Sequence, residues 1–406
     1  MRSILGITIC LILSAAQVLS QSSLDSVQVR AFNQAHYRVA SFNYTGLEGH
    51  DGRIYFANES GMLSYDGSQW ELHPINDFKS VLSIGQSIDS AIYIGGIDEL
   101  GYMLKQEGSL EYTSLIPLMP DTVNTGELWQ IVSFNGDIYF SGYNGIFKYD
   151  GQQVEHIDLK NGHLFNIDGR LVSSVYEKGI YELIDDKPVL KNGDFIFQDD
   201  VVFAVVPRKQ KDLYYFITSE NGIWTFDLST FETRKVENET SQLVTTLWGY
   251  DAAILQDSLY AISTWKGGLI IADLDLNLLK VVDSKNGLNT DEMKEVFVDR
   301  RNHIWVGTNS GISELYWDQL EVIPENVQSV ITSFDEQEAN SLSFEFATPG
   351  YHISELKYAS YLEGFDKDYS YVKSGFKKEY TNLDGGEYTF HVRAQLPDGS
   401  FSNSAH

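Results

Sequence analysis

The sequence predicts an all-β protein, a seven-bladed β-propeller followed by an incomplete immunoglobulin-like β-sandwich. Its 33 glycines, 24 tyrosines and 22 phenylalanines, against only 8 prolines, favour strands and tight turns over helices. A glycine-apolar step after a polar turn recurs about every 42 residues, which is the spacing of four-stranded propeller blades. Beyond residue 326 this period ends, and alternating strands separated by Gly- and Asp-rich turns replace it.

Each repeat joins two strand segments through a polar turn. In the first repeat, Ile54, Tyr55 and Phe56 precede the turn, and Gly61 opens the segment that follows it. Apolar and polar residues alternate at period two, which indicates strands with one buried face, so Ile54 and Phe56 should point away from Tyr55. The glycine suits a positive φ angle or a close approach between strands. It recurs as Gly61, Gly101, Gly145, Gly179, Gly222, Gly268 and Gly311.

Two segments before the first full repeat are expected to complete the ring. Residues 27–32 have the pattern of an extra strand that closes it, and residues 40–46 are predicted to form the inner strand of the first blade. One four-stranded sheet cannot bury both of its faces. A closed ring of seven can, because each sheet packs on the next.

The N-terminus has the features of a signal peptide over residues 1–20. Arg2 supplies the positive charge, Ile4 to Leu13 is apolar, and the small residue Ser20 suits cleavage. Cys10 is the only cysteine and lies inside the apolar segment, so the mature chain has no thiol for a disulfide, a lipid anchor or a zinc site. We expect an exported, periplasmic protein.

The net charge of −28 opposes binding to nucleic acids and to anionic lipid surfaces. No stretch after the signal peptide approaches the roughly 20 apolar residues of a membrane-spanning helix. The predicted domains are therefore a signal peptide (1–20), a propeller (21–326) and a β-sandwich (327–406). The chain stops shortly after a hairpin turn where a sandwich needs another strand, so we expect a natural protein that continues beyond His406 into a membrane anchor.

Two segments resemble known families. Residues 285–312, which include Asn302-His303-Ile304-Trp305-Val306-Gly307-Thr308, closely resemble the two-component-regulator propeller repeat. Residues 361–394 resemble the triple-tyrosine domain, with Tyr361, Tyr380 and Tyr388 as its three tyrosines. The chain departs from these patterns by having tyrosine, where the family usually has tryptophan, at positions 44 and 369.

This order of domains resembles the periplasmic sensor half of membrane-bound regulators of Gram-negative bacteria. Some of those regulators end in a histidine kinase and others in a LuxR-type helix-turn-helix, and the first blade here, from Tyr37 to Trp70, is similar to that of the LuxR-type group. The resemblance implies a non-catalytic sensor for signal transduction, anchored in the inner membrane. Relay of a signal is simplest across a homodimer, which we expect to form through the C-terminal domain.

Residue patterns for catalysis and metal binding are missing from the sequence. The nine histidines are scattered without metal-ligand spacing, and there is neither a nucleophile elbow nor a phosphate-binding loop. We therefore expect no cofactor, no metal and no catalytic residue. Two alternatives stay open: a propeller lyase or glycosidase, which would need paired carboxylates, a Tyr–His pair or a metal, and a protein-interaction scaffold.

The loops between second and third strands should surround the mouth of the central channel. Their mixture of aromatic, amide and carboxylate side chains predicts binding of an oligosaccharide, although ordinary turn chemistry is the alternative explanation. Trp265 is the first choice for a binding residue, whereas Trp129 and Trp248 are assigned to the core. The predicted ligand-binding residues are Asn58, Glu59, Asp98, Glu99, Tyr143, Asn144, Glu220, Asn221, Trp265, Lys266 and Asn309.

Overall fold

The computed structural model describes residue 24 and residues 26–88, 90–106, 109–193, 200–337, 340–372 and 375–406. The predicted signal peptide lies outside these residues. The described residues form seven four-stranded antiparallel sheets and two three-stranded sheets, which confirms the predicted all-β fold. Within these ranges, no helix has the length and apolar character required to cross a bilayer.

Each four-stranded sheet is one blade of the propeller. The strands of blades 1 to 3 are β2 (Asn43–Glu48), β3 (Ile54–Asn58), β4 (Gly61–Tyr65) and β5 (Trp70–His73); β6 (Val81–Gln86), β7 (Ile92–Gly96), β8 (Leu100–Gln106) and β9 (Ser109–Ser114); and β10 (Leu128–Phe134), β11 (Asp137–Gly142), β12 (Gly145–Tyr149) and β13 (Val154–Ile157). Those of blades 4 to 6 are β14 (Gly162–Ile167), β15 (Arg170–Val175), β16 (Gly179–Ile184) and β17 (Lys187–Asn192); β18 (Val202–Pro207), β19 (Leu213–Thr218), β20 (Ile223–Asp227) and β21 (Thr233–Lys235); and β22 (Gly249–Leu255), β23 (Leu259–Thr264), β24 (Gly268–Asp273) and β25 (Leu278–Val282).

Blade 7 combines the two ends of the ring. It contains β26 (Met293–Val298), β27 (Ile304–Thr308), β28 (Gly311–Tyr316) and, as its outer strand, β1 (Gln28–Phe32). The helices are α1 (Gln34–Tyr37) and α2 (Glu239–Leu247). The C-terminal sheets contain β29 (Val330–Gln337), β30 (Ser341–Ala347) and β33 (Lys377–Tyr380), and β31 (Lys357–Glu363), β32 (Ser370–Tyr371) and β34 (Thr389–Gln395).

The seven sheets form a closed ring around the channel. The first strand of each blade packs on the first strand of the next, and β26 of blade 7 packs on β2 of blade 1. Within β3, Phe56 packs towards Trp305 of blade 7, and Tyr55 packs towards Ile92 of blade 2, as the alternation predicted. The expectation of a single buried face is wrong for this strand, because neighbouring sheets cover both faces and all five of its residues are buried.

Strand β1 closes the ring by pairing antiparallel with β28, from Gln28 opposite Tyr316 to Phe32 opposite Ile312. This confirms the predicted closing strand. The inner strand of blade 1 begins at Asn43, three residues later than expected. Residues 40–42 stay outside the ladder because the Asn58 amide donates hydrogen bonds to the carbonyl oxygens of Ala40 (2.8 Å) and Phe42 (2.9 Å).

The two C-terminal sheets enclose a separate apolar core. Phe344 of β30 stacks on Phe390 of β34 with their ring centroids 4.0 Å apart. Tyr380 is buried beside them, and its hydroxyl donates to the Asp366 carboxylate over 2.8 Å. Tyr361 instead points outwards and packs on the ring of Tyr369 at 5.6 Å. Of the three tyrosines of the motif, Tyr380 therefore belongs to the core of this domain.

Charged groups join the sandwich to the ring. Glu355 of the sandwich accepts hydrogen bonds from Arg30 on β1 (2.9 Å) and from Arg301 in the β26–β27 turn (2.6 Å). The Arg301 guanidinium is almost fully buried and lies 4.0 Å from the centre of the Tyr351 ring. Burial works against the charge of Arg301, but its two carboxylate partners, Glu355 and Glu321, raise its pKa above the ordinary value. The ring and the sandwich consequently share one partly buried ion-pair cluster.

Closure of the ring depends on the absence of a side chain at Gly311. A Cβ atom there would lie 2.2 Å from the Phe32 carbonyl oxygen of β1, and the φ angle of Gly311 is +140°. Gly136 has a similar positive φ of +92°, yet nothing lies within 4 Å of its Cβ position. We predict that Gly311→Ala lowers the free energy of unfolding by about 3 kcal/mol or more and that Gly136→Ala lowers it by about 1 kcal/mol. Urea denaturation measures both values, and equal losses would contradict a tight contact at the closure.

Candidate functional site

The inner strands and the loops between second and third strands meet at one end of the channel. In blade 1, Asn43 at the start of β2 pairs with Asn58 at the end of β3. In blade 6, Gly249 at the start of β22 likewise pairs with Thr264 at the end of β23. Because the loop follows directly after the second strand, it lies beside the first residues of the inner strand. This end is the channel mouth.

The second residue of every inner strand points into the channel. These seven residues, here called the collar, are Tyr44, Leu82, Trp129, His163, Phe203, Tyr250 and Lys294. All seven are partly exposed and line one cavity of about 800 Å³. A cavity of this size is typical of small-molecule sites.

Local irregularities in strand pairing produce the collar. In blade 5, Val202 pairs with Thr218 and Ala204 pairs with Ile217, so Phe203 is left outside the ladder. The register also shifts at the collar position in blades 1, 2, 3, 6 and 7. Blade 4 keeps a regular register, with His163 opposite Ser174. Bulges of this kind redirect side chains and occur frequently beside active sites.

Five rings form a continuous aromatic arc along one wall of the channel mouth. The arc consists of Trp129, His163, Phe203, Tyr250 and Trp265, and successive ring centroids are 5.8, 5.0, 4.9 and 6.0 Å apart. Burial lowers the pKa of His163 to about 4, so its ring is neutral at physiological pH. The arc is therefore an uncharged stacking surface formed by blades 3 to 6.

Lys294 lies at the Trp265 end of this arc, with its ammonium group among three aromatic rings. Its ammonium nitrogen is 4.4 Å from the ring centre of Tyr44, 4.7 Å from that of Phe42 and 5.3 Å from that of Trp265. Such distances allow cation–π attraction. Burial lowers the pKa of Lys294, while the charges of Glu59 and Glu127 oppose this shift.

Two carboxyl groups, here called the acid pair, lie next to the collar on the inner strands of blades 6 and 7. Asp251 accepts a hydrogen bond from the Val296 amide (2.9 Å), and Glu295 accepts one from the Gly46 amide. Each therefore ties its own blade to the next one. Burial raises the pKa of Asp251 to about 7, and burial together with the Asp251 charge raises the pKa of Glu295 well above its ordinary value. Both carboxyl groups line the cavity.

The structure places two of the predicted binding residues inside hydrogen-bond networks of the fold. Asn58 is fully buried and donates to the Asn43 side chain over 2.9 Å, in addition to the carbonyl groups described above. Glu99 is also buried, and four side chains donate to its carboxylate, those of Asn76, Lys79, Tyr112 and Ser114. These hydrogen bonds hold the loops in place and occupy the groups that were expected to meet a ligand.

Several other predicted residues connect neighbouring loops at the mouth. Asp98 accepts from the Gly126 amide (2.9 Å), and Asn144 donates to the side chain of Asn124 (2.7 Å). The backbone amides of Glu220 and Asn221 donate to Asp200 (2.7 and 2.9 Å), and the Asn309 amide donates to the Glu292 carboxylate. Tyr143 is exposed and stays at the rim.

Only part of the predicted set approaches the collar. Trp265 stacks on Tyr250, and the charge of Glu59 acts on Tyr44 and Lys294. Lys266 is exposed and lies over the ring of Trp248. None of the eleven predicted residues, all of which the structure describes, lines the cavity directly.

None of the collar residues was among the predicted binding residues. Trp129 was assigned to the core, yet it lines the cavity and stacks on His163. A usable signal was present, because a large side chain recurs at the second position of each inner strand. In the described part of the chain, no three His, Cys, Asp or Glu side chains converge as metal ligands would.

Comparison with known proteins agrees with this architecture. Residues 354–405 match the Y_Y_Y domain, which confirms the resemblance to the triple-tyrosine domain. No curated protein sequence is similar enough to identify a relative.

Solved structures share the fold at low sequence identity. The extracellular domain of the putative hybrid two-component system BT4673 from B. thetaiotaomicron aligns at 15% identity and TM-score 0.59, over 93% of this chain and 58% of that one. PorZ, a surface component of the type-IX secretion system of Porphyromonas gingivalis, aligns at 12% identity and TM-score 0.54, over 90% and 58%. A streptogramin B lyase aligns at 16% identity and TM-score 0.55, over 72% and 98%. The chain thus spans 58% of the length of the first two structures.

The acid pair predicts a pH-dependent stability. Folding raises the pKa of Asp251 from about 4 in the unfolded chain to about 7. Such an acid stabilises the folded protein fully below about pH 4, and this stabilisation is lost as the pH rises through about 7. We predict that the free energy of unfolding of the unmodified chain falls by roughly 2–4 kcal/mol more between about pH 4 and pH 8 than that of Asp251→Asn. The asparagine cannot ionise, but its carbonyl oxygen still accepts the hydrogen bond from the Val296 amide.

Thermal unfolding across this pH range measures the difference. The control is Asp158→Asn, whose side chain is 77% exposed and which should keep the pH dependence of the unmodified chain. A pH profile of Asp251→Asn identical to that of the unmodified chain would show that Asp251 is ionised throughout the range.

Proposed function

We propose that this chain is a non-catalytic, extracytoplasmic sensor region whose central channel binds an oligosaccharide. The aromatic arc carries the proposal, because aromatic rings along one wall of a cavity of about 800 Å³ suit the flat apolar faces of sugar rings. Tyr44, Thr45 and Gln130 line the same cavity and offer polar groups for hydroxyl recognition. The likeness to the extracellular domain of a putative hybrid two-component system supports a sensor role.

The proposed route of the signal runs from the channel to the sandwich. Blade 7 supplies Lys294 and Glu295 to the cavity and also supplies Arg301, which binds Glu355 of the sandwich. A ligand that shifts blade 7 would therefore act on the junction, provided that it binds one arrangement better than another. Dimerisation through the sandwich, a membrane anchor beyond residue 406 and a periplasmic location stay parts of this proposal.

A second candidate function is a propeller lyase or glycosidase. The acid pair supplies the carboxyl groups that such chemistry needs, and one structural neighbour is a lyase. We favour the sensor because each of these carboxylates accepts a backbone amide of the adjacent blade and so has a role in the fold. New reducing or unsaturated ends after incubation with polysaccharides would favour the enzyme instead.

Substitutions in the aromatic arc test the proposed function. We predict that Phe203→Ala and Trp129→Ala each weaken oligosaccharide binding about 10-fold, because one stacked ring is worth about 1–1.5 kcal/mol. Isothermal titration against a panel of glycans measures the affinity, and Tyr371→Ala on the exposed face of the sandwich is the matched control. If no glycan binds, or if the Tyr371 variant loses as much affinity as the arc variants, the channel is not the binding site.

A further inference from the structure

Among the described residues, no cationic side chain neutralises the acid pair. Lys294 is the single Lys or Arg among the described residues that line the cavity, and its ammonium group lies over the rings of Phe42, Tyr44 and Trp265. The carboxylates that act on Lys294 are Glu59 and Glu127, rather than Asp251 and Glu295. Two partly buried carboxyl groups thus interact in the cavity wall, and no other described residue that lines the cavity supplies a counter-charge.

The acid pair is also next to the stacking surface. Tyr250, Asp251 and Glu295 line the same cavity. Burial raises the pKa of Tyr250, a member of the aromatic arc, and the charges of Glu295 and Asp251 raise it further. A ring-shaped ligand stacked on Tyr250 and Phe203 would hold its substituents within reach of the two carboxyl groups. Aromatic rings combined with carboxylates are the usual protein surroundings of a ligand cation.

We propose that the ligand of this channel carries a protonated amine, which Asp251 and Glu295 bind while the aromatic arc packs against the body of the ligand. This inference rests on the ligand-binding function proposed above and specifies the chemical class of the ligand. A positive charge beside the pair favours the ionised form of both carboxyl groups and removes the repulsion between them. A neutral sugar offers no such gain.

Two kinds of molecule supply this chemistry, an amino sugar and a linear polyamine. The aromatic arc favours the amino sugar, because its pyranose ring has a flat apolar face and a polyamine has none. We therefore expect oligomers of glucosamine, rather than spermidine, to bind most tightly.

Isothermal titration of the full chain with two matched oligosaccharides tests the proposal. The probes are a tetramer of glucosamine and a tetramer of N-acetylglucosamine, which differ in the charge and acetylation of the nitrogen. We expect the charged tetramer to bind at least about 10-fold more tightly, and Asp251→Asn and Glu295→Gln each to remove most of that preference. Glu363→Gln, an exposed carboxylate of the sandwich, should leave the preference unchanged.

Proton release gives an independent measurement. Near pH 5 the amines of a glucosamine oligomer are already protonated and Asp251 is still neutral, so ionisation of the acid pair on binding releases protons and makes the heat depend on the buffer. The other titratable groups that line the cavity are Tyr44, Glu127, His163, Asp168, Tyr214, Tyr250 and Lys294. Loss of the buffer dependence in Asp251→Asn and Glu295→Gln assigns the protons to the pair.

The outcomes separate this inference from the proposed function. The amine proposal is overturned if the acetylated tetramer binds as tightly as the charged one or more tightly, or if both acid variants keep the preference for the charged tetramer. Either result leaves the channel as a binding site for neutral glycans. If spermidine binds more tightly than the glucosamine tetramer and the acid variants lose that binding, the ligand carries an amine but is a polyamine rather than an amino sugar. Binding of none of these probes overturns the amine, and failure of the whole glycan panel overturns the proposed function as well. Circular dichroism confirms that each variant is folded.

Discussion

The pairing of β1 with β28 is the constraint on which the rest of the structure depends. The collar takes one side chain from each of seven sheets, spread from Tyr44 to Lys294 along the chain, and these side chains surround a common space only when the ring is closed. The pairing of first and last strands gives blade 7 its fourth strand, so that all seven blades of the ring are four-stranded. The channel is thus a property of the whole ring, and no single blade contains a site.

The same closing strand is bound to the second domain. Arg30 of β1 contacts Glu314 on the neighbouring strand and Glu355 of the sandwich, and Arg301 binds that same Glu355. Removing one member of such a cluster leaves a buried charge without its partner, which is strongly destabilising. Ring closure and docking of the sandwich are therefore energetically linked, and a change in blade 7 reaches both through one carboxylate.

The fold could be predicted from sequence because short-range residue patterns determine its strands and turns. The glycine period and the alternating strands identified the blades, and residues 27–32 identified the closing strand. The site was harder to predict, because the recurring large residue of each inner strand becomes recognisable only once the strand boundaries and the bulges in their pairing are known. Phe203 was therefore not predicted as a binding residue. Asn58 and Glu99 were predicted because they are polar, but hydrogen bonds within the folded loops occupy their side chains.

The bulged position of the collar residues separates recognition from architecture. A residue outside the ladder contributes no register pair, so its replacement leaves the hydrogen bonds on both sides intact. Evolution can then exchange Leu82, Phe203 or Tyr250 for another side chain without repacking the sheets. A lineage of such rings can diversify in what it detects while its scaffold stays constant, and the six bulged collar positions are where that divergence should be concentrated.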